Sequence, residues 1–277
     1  AGIALLIRRT LRAADPIAQL TLFRRRSFAI GCGLSFCLGV GLYGSTYLMP
    51  VFLGFVRRHD AFEIGTTMLV TGAAQLVAAP LAAFLESRVG ALALTATGFA
   101  LFAFGLGLSA FQPRTADFGE MVWPQVVRGI AIMFCLLPPT RFALGSLPED
   151  EIADASGLFN LMRNLGGAIG IAALQTLLTK REQYHSNVLM QSVSLLEEAT
   201  RSRIAQLTQY FMNHGVADQA AATRRAIAAI GNVVQKQAYI LAFSDTFYLL
   251  GVALIIALVA TLCLKKPGQL AGGGGAH

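Results

Sequence analysis

The sequence predicts an all-α polytopic membrane protein: a bundle of six transmembrane helices, with an external helical loop between the last two spans. Three observations predict it. Hydrophobic residues make up 55% of the 277 residues. Charged residues make up only 13%, against roughly 25% in soluble domains, and mean hydropathy is +0.60. The apolar residues also gather into six stretches, each about 20 residues or longer, which is the length that crosses a bilayer core. A disordered chain, a disulfide scaffold and an ordinary soluble enzyme are excluded.

The chain opens on Ala1-Gly2-Ile3-Ala4-Leu5-Leu6-Ile7, without Met and without a signal-peptide cleavage pattern. This run reads as the tail of a preceding apolar helix, so upstream sequence is expected. Residues 1–27 are then a linker, polar and amphipathic from Arg8 and closed by Phe23-Arg24-Arg25-Arg26. Five spans fill 28–178: 28–52, 64–85, 91–111, 121–145 and 153–178. Their connections carry Arg57, Arg58, His59, Asp60 and Glu63, then a tight turn at Glu86-Ser87-Arg88, a polar stretch around Pro113, and the acidic Glu149-Asp150-Glu151. Residues 179–235 form the long polar loop, 236–264 the sixth span, and 265–277 a tail ending in a glycine run.

Positive charge orients the bundle. Arg24, Arg25 and Arg26 precede the first span, and Lys265 and Lys266 follow the last, so both ends of this chain are expected in the cytoplasm. The basic long loop then lies outside, because long loops cross largely regardless of charge. Within it, Leu189, Val193, Leu196, Ile204, Leu207, Phe211 and Met212 recur at helical spacing up to Gly215, and Ile227, Ile230 and Val234 mark a second helix over 220–234. Two amphipathic helices fit either a hairpin packed on the rim of the bundle or a docking surface for a partner. A net charge of +7 does not imply nucleic acid, since the basic residues sit at span ends and in this loop, not on a folded basic face.

A charge at the bilayer centre costs roughly 2.5–3.5 kcal/mol on insertion scales, so polar residues inside spans need partners or water. Arg128 and Arg141 lie in the fourth span, Arg163 in the fifth and Asp245 in the sixth. Arg128 fits a structural tie to backbone carbonyls or a gate; Arg141 is close enough to the inner end to snorkel. In the fifth span Asn160, Arg163, Asn164, Gly167 and Gly170 recur at helical spacing and are expected on one face, with GxxxG at Gly166 to Gly170. This stripe fits interhelical packing or the wall of a moving cavity. Thr67, Thr71 and Gln75 line the second span, with Tyr43 and Tyr47 in the first. Pro138-Pro139 is expected to bend or break the fourth.

Other chemistry is absent from the sequence. Gly39 to Gly44 spells GxGxxG inside a continuous apolar span, without the strand and helix start of a nucleotide fingerprint. HExxH, GxxxxGKS/T and GxSxG do not occur, so no catalytic residue, no metal site and no cofactor is expected. Cys32, Cys37, Cys135 and Cys263 lie scattered in apolar stretches as inert thiols.

Four segments carry a resemblance: Phe23 to Phe28, Tyr43-Gly44-Ser45-Thr46-Tyr47-Leu48-Met49-Pro50, the run from Ile152 to Gly170, and Ala242-Phe243-Ser244-Asp245-Thr246-Phe247. They resemble the C-terminal half of the EmrB/QacA-type exporters, the fourteen-helix drug:proton antiporters of the major facilitator superfamily. The resemblance runs from about residue 15 to 266, except that Ala82 to Arg88 is a degenerate form of the family's loop pattern. It implies the C-terminal bundle of a multidrug efflux transporter in a bacterial inner membrane, moving small amphipathic drugs against protons by alternating access. Its implied partners are the lipid bilayer, the missing N-terminal half, and a periplasmic adaptor with an outer-membrane channel. The coupling carboxylates of the family lie in that missing half. The expected substrate and proton pathway residues are Tyr43, Tyr47, Gln75, Arg128, Asn160, Arg163, Asn164 and Asp245. The competing expectation is an accessory, non-transporting membrane domain whose external helices dock a partner.

Overall fold

The structure is a computed structural model and describes residues 20–110, 118–145, 147–193 and 197–263. A short 3-10 turn, Leu20–Arg24, leads into α1, Arg26–Phe52, which closes through a π-turn over Leu53–Arg57. Then follow α2 (Ala61–Val89), α3 (Ala91–Ala110), α4 (Phe118–Leu144), α5 (Glu149–Gln191), α6 (Glu198–Asn213) and α7 (Gln219–Cys263). Six of these helices are long and apolar enough to cross a membrane; α6 is not among them. The described residues are all-α, and six helices of this length and hydropathy are the pattern of a multi-pass membrane protein.

Local chemistry sets the helix ends. Arg58 takes a left-handed conformation (φ 58°) after the π-turn. Asp60 and Glu63 then form a capping box: the Glu63 N–H donates to Asp60 Oδ1 (2.8 Å) and the Asp60 N–H to Glu63 Oε2 (3.2 Å). The expected turn at Glu86-Ser87-Arg88 is helical instead. The chain reverses at Gly90, whose φ of 89° suits glycine, while Arg88 lies over the Phe84 ring. Asp218 caps α7 by accepting from the N–H groups of Ala220 and Ala221. Helix α4 runs unbroken through Pro124, Pro138 and Pro139, so the prolines do not break it.

The largest correction concerns the loop. Among the described residues of 179–235, only α6 is a separate helix. The residues before it continue α5 out to Gln191, and the second expected helix is the first part of α7. At 1.5 Å per residue the 43 residues of α5 and 45 of α7 are about 65 Å long, twice the bilayer core. Both therefore project as a paired extension, with α6 folded back on α7. Met190, Val193, Thr200, Ile204, Ile227 and Ile230 line an open apolar cleft of about 250 Å³ there.

Packing follows side-chain size. α1 packs most extensively on α5 and also meets α4 and α7; α3 lies between α4 and α7; α2 packs on α4. The central core joins α1, α3 and α7 through Leu48, Met49, Phe99, Phe102, Phe243 and Phe247. Phe52 meets Phe243 and Phe247 edge-on at 5.5 and 6.4 Å. α2 buries one narrow stripe of small residues, Thr67, Thr71, Ala74, Ala78 and Ala82. Leu69, Leu76 and Val77 on its other sides are 70–79% exposed, a surface that only lipid or another apolar helix can cover at low cost.

Candidate functional site

Small residues bring α1 against α5. A Cβ on Gly166 would collide with the Phe36 carbonyl oxygen, and one on Gly39 with the Arg163 carbonyl. Only glycine permits this backbone approach. Ser35 Oγ strengthens it by donating to the Phe159 carbonyl (3.2 Å). The close contact places the Tyr43 ring on Gly167 and lets Tyr43 Oη donate to Asn164 Oδ1 at 2.9 Å. One residue back, the Arg163 guanidinium lies 5.4 Å from the Phe159 ring centroid, half-buried, with its Nε enclosed and lacking an acceptor. Asn160 and Asn164 are exposed, and Tyr47 is half-buried on α1 one turn beyond Tyr43. Tyr43, Asn160, Arg163 and Asn164 thus form one polar edge along the α1–α5 seam. The stripe expected on a single face is split: Gly166, Gly167 and Gly170 face α1 and are buried, while the asparagines border open surface.

The other candidates stand elsewhere. Arg128 is 2% exposed between α2 and α4. Its Nη2 donates to Thr71 Oγ1 (3.1 Å) and approaches Met68 Sδ (3.9 Å), and the Thr71 hydroxyl donates to Gln125 Oε1 (2.7 Å). The tie is to side chains, not to backbone carbonyls. Gly129 allows it, because a Cβ there would sit 2.6 Å from the Thr71 carbonyl oxygen. Gln75, one turn along α2 from Thr71, is half-buried against the same helix pair and is separated from the Tyr43 edge by α4.

Asp245 joins α7 to α5. His185 Nε2 lies 2.8 Å from Asp245 Oδ2, and Arg181 Nε lies 3.6 Å from the same oxygen. Its neighbour Ser244 donates to the terminal Ala110 carbonyl of α3, so the group sits where α3 ends and the extension begins, not at mid-span. Sequence reasoning missed Arg181, His185 and Gln125. The usable signal was the i, i+4 pair of basic residues just beyond the apolar end of the fifth span.

Two further ion pairs close the opposite end. Arg25 joins Glu151 (2.8 Å), tying α1 to α5, and Arg141 joins Glu86 (3.2 Å), tying α4 to α2. Arg141 is therefore paired as well as exposed. Among the described residues no cluster of His, Cys, Asp or Glu could hold a metal ion, and Cys32, Cys37 and Cys135 are free thiols.

Comparison with known proteins fits this architecture. The chain is 31% identical over 258 residues to the colistin resistance protein EmrB of Acinetobacter baumannii, covering 93% of this chain and 50% of that protein. It is 29% identical over 268 residues to the multidrug export protein EmrB of Escherichia coli, covering 95% and 50%. It is 27% identical over 261 residues to the fatty acid resistance protein FarB of Neisseria gonorrhoeae, covering 94% and 49%. The chain thus spans about half the length of the curated relatives it matches. Residues 6–171 match the profile of the Major Facilitator Superfamily, and with six membrane-length helices behind that match, the chain belongs to this superfamily of membrane transporters.

Proposed function

We propose that this chain is the C-terminal half of an efflux transporter that carries amphipathic compounds out of a bacterial cell, driven by protons and working by alternating access. The observation that carries the reading is the α1–α5 edge. Tyr43, Asn160 and Asn164 reach the open surface midway along membrane-length helices, where polar groups fit a water-filled pathway or a second bundle, not lipid. A few polar groups among aromatic and aliphatic neighbours suit amphipathic cargo. The half-length match to EmrB-type exporters supports a second bundle facing this edge.

In this reading Tyr43, Tyr47, Asn160, Arg163 and Asn164 line the pathway, and Gln75 stands behind α4 on the α2–α4 side. Arg128 and Asp245 act on it through the helices they tie. The arginines before α1 and the lysines after 264 lie in the cytoplasm. Residues 28–178 and 236–264 are the spans, and the extension over 179–235 stands in the periplasm. There its exposed Tyr184, Val188, Tyr210 and Val233 and its apolar cleft suit a periplasmic adaptor that leads to an outer-membrane channel.

The test is dye efflux from cells expressing the full-length protein, with Arg163→Ala and Asn164→Ala. Both variants insert in the membrane and lose efflux. Wild-type efflux by both would leave this edge a packing feature only.

A further inference from the structure

We infer that the α2–α4 interface holds a binding site for one small inorganic anion, built from Arg128 and Gln125 where Thr71 links them. This goes beyond the transport reading and does not depend on it. The argument is a count of donors and acceptors. Arg128 Nη2 donates to Thr71 Oγ1 and approaches Met68 Sδ, and the Thr71 hydroxyl in turn donates to Gln125 Oε1. Two donor atoms, Arg128 Nε and Gln125 Nε2, are fully enclosed and have no acceptor. They belong to residues that are 2% and 1% exposed. Buried donors left unmet are costly, so the component lacking is an acceptor.

Charge narrows its identity. Arg128 carries a positive charge inside a membrane bundle, and among the described residues no carboxylate lies within ion-pair distance of it. The acid on α2 nearest in sequence, Glu63, is eight residues from Thr71, about 12 Å along the helix, and is held in the capping box with Asp60. A carboxylate on a second bundle is shut out, since α2 covers the guanidinium almost completely. A neutral acceptor would satisfy the hydrogen bonds and leave the charge unbalanced; a halide-sized anion does both.

The experiment uses the purified full-length protein in detergent, with chloride or gluconate as the sodium salt at equal ionic strength. Chloride raises the wild-type Tm, as a ligand of the folded state must, and the increment disappears in Arg128→Met and shrinks in Gln125→Leu. Crystals soaked in bromide give an anomalous peak beside the Arg128 guanidinium. Should Arg128→Met fail to fold, Gln125→Leu and the bromide peak decide the matter. Equal Tm in both salts, an unchanged increment in Gln125→Leu, or water alone at the site would overturn the proposal. None of these readouts involves transport, so failure of the anion site leaves the exporter reading standing, and the reverse.

Discussion

At the scale of single residues, the α1–α5 seam makes the sharpest demands. A methyl group on Gly166 collides with the Phe36 carbonyl, whereas one on Gly157 of the same helix meets nothing within 4 Å. Gly166→Ala should therefore lower stability by about 1–3 kcal/mol, the usual cost of overpacking. Gly157→Ala should be neutral or stabilise by up to about 1 kcal/mol through helix propensity. Thermal unfolding of the two variants in one detergent separates them. Tyr43→Phe removes the hydrogen bond to Asn164 at a cost near 0.6 kcal/mol, typical between membrane helices, so its Tm should barely move while efflux falls. The glycine contact was legible in the sequence as GxxxG. The split of the polar stripe was not, because α1 covers only a narrow arc of α5. Asn164 lies six residues from Gly170, about 120° around the helix, which leaves it at the exposed rim of the contact, where Tyr43 reaches it.

At the scale of elements, α5 and α7 decide the shape. Polarity marks residues 179–235 as leaving the membrane, and that reading does not say whether a helix stops there. No glycine or proline occurs between Gly170 and Gly215, so nothing in the backbone interrupts α5 at the membrane surface. Its helical bonds continue into water until Gln191. The Asp245 tie was illegible for a different reason: its partners are 60 or more residues away on another helix, and one sequence does not pair distant side chains. Being half-exposed, that tie contributes little to global stability, within about 1 kcal/mol. Asp245→Asn should instead loosen the base of the extension. Hydrogen exchange should accelerate at 180–191 and 219–236 and stay unchanged in α3, and equal exchange in variant and wild type would deny the tether.

At the scale of the whole molecule, six apolar helices are held by a central aromatic core, with polar cross-links that each join one helix pair, among them α1 with α5, α2 with α4, α3 with α7 and α5 with α7. The apolar flank of α2 and the polar edge of α5 are left exposed, and in the proposed reading lipid covers the first and a second bundle faces the other. Fold class and span number were legible because hydropathy and length are properties of each segment alone. Which residues meet across helices depends on packing, and that became visible only in three dimensions. The account rests on the helices crossing lipid with the arginine end and the extension on opposite sides. The most direct test places single cysteines at Ser27, Asn213 and Lys265 of a cysteine-free full-length protein and labels intact spheroplasts with a membrane-impermeant maleimide. Cysteine at 213 should label at once, and those at 27 and 265 only after the membrane is opened; labelling of 27 and 213 from the same side would contradict the account.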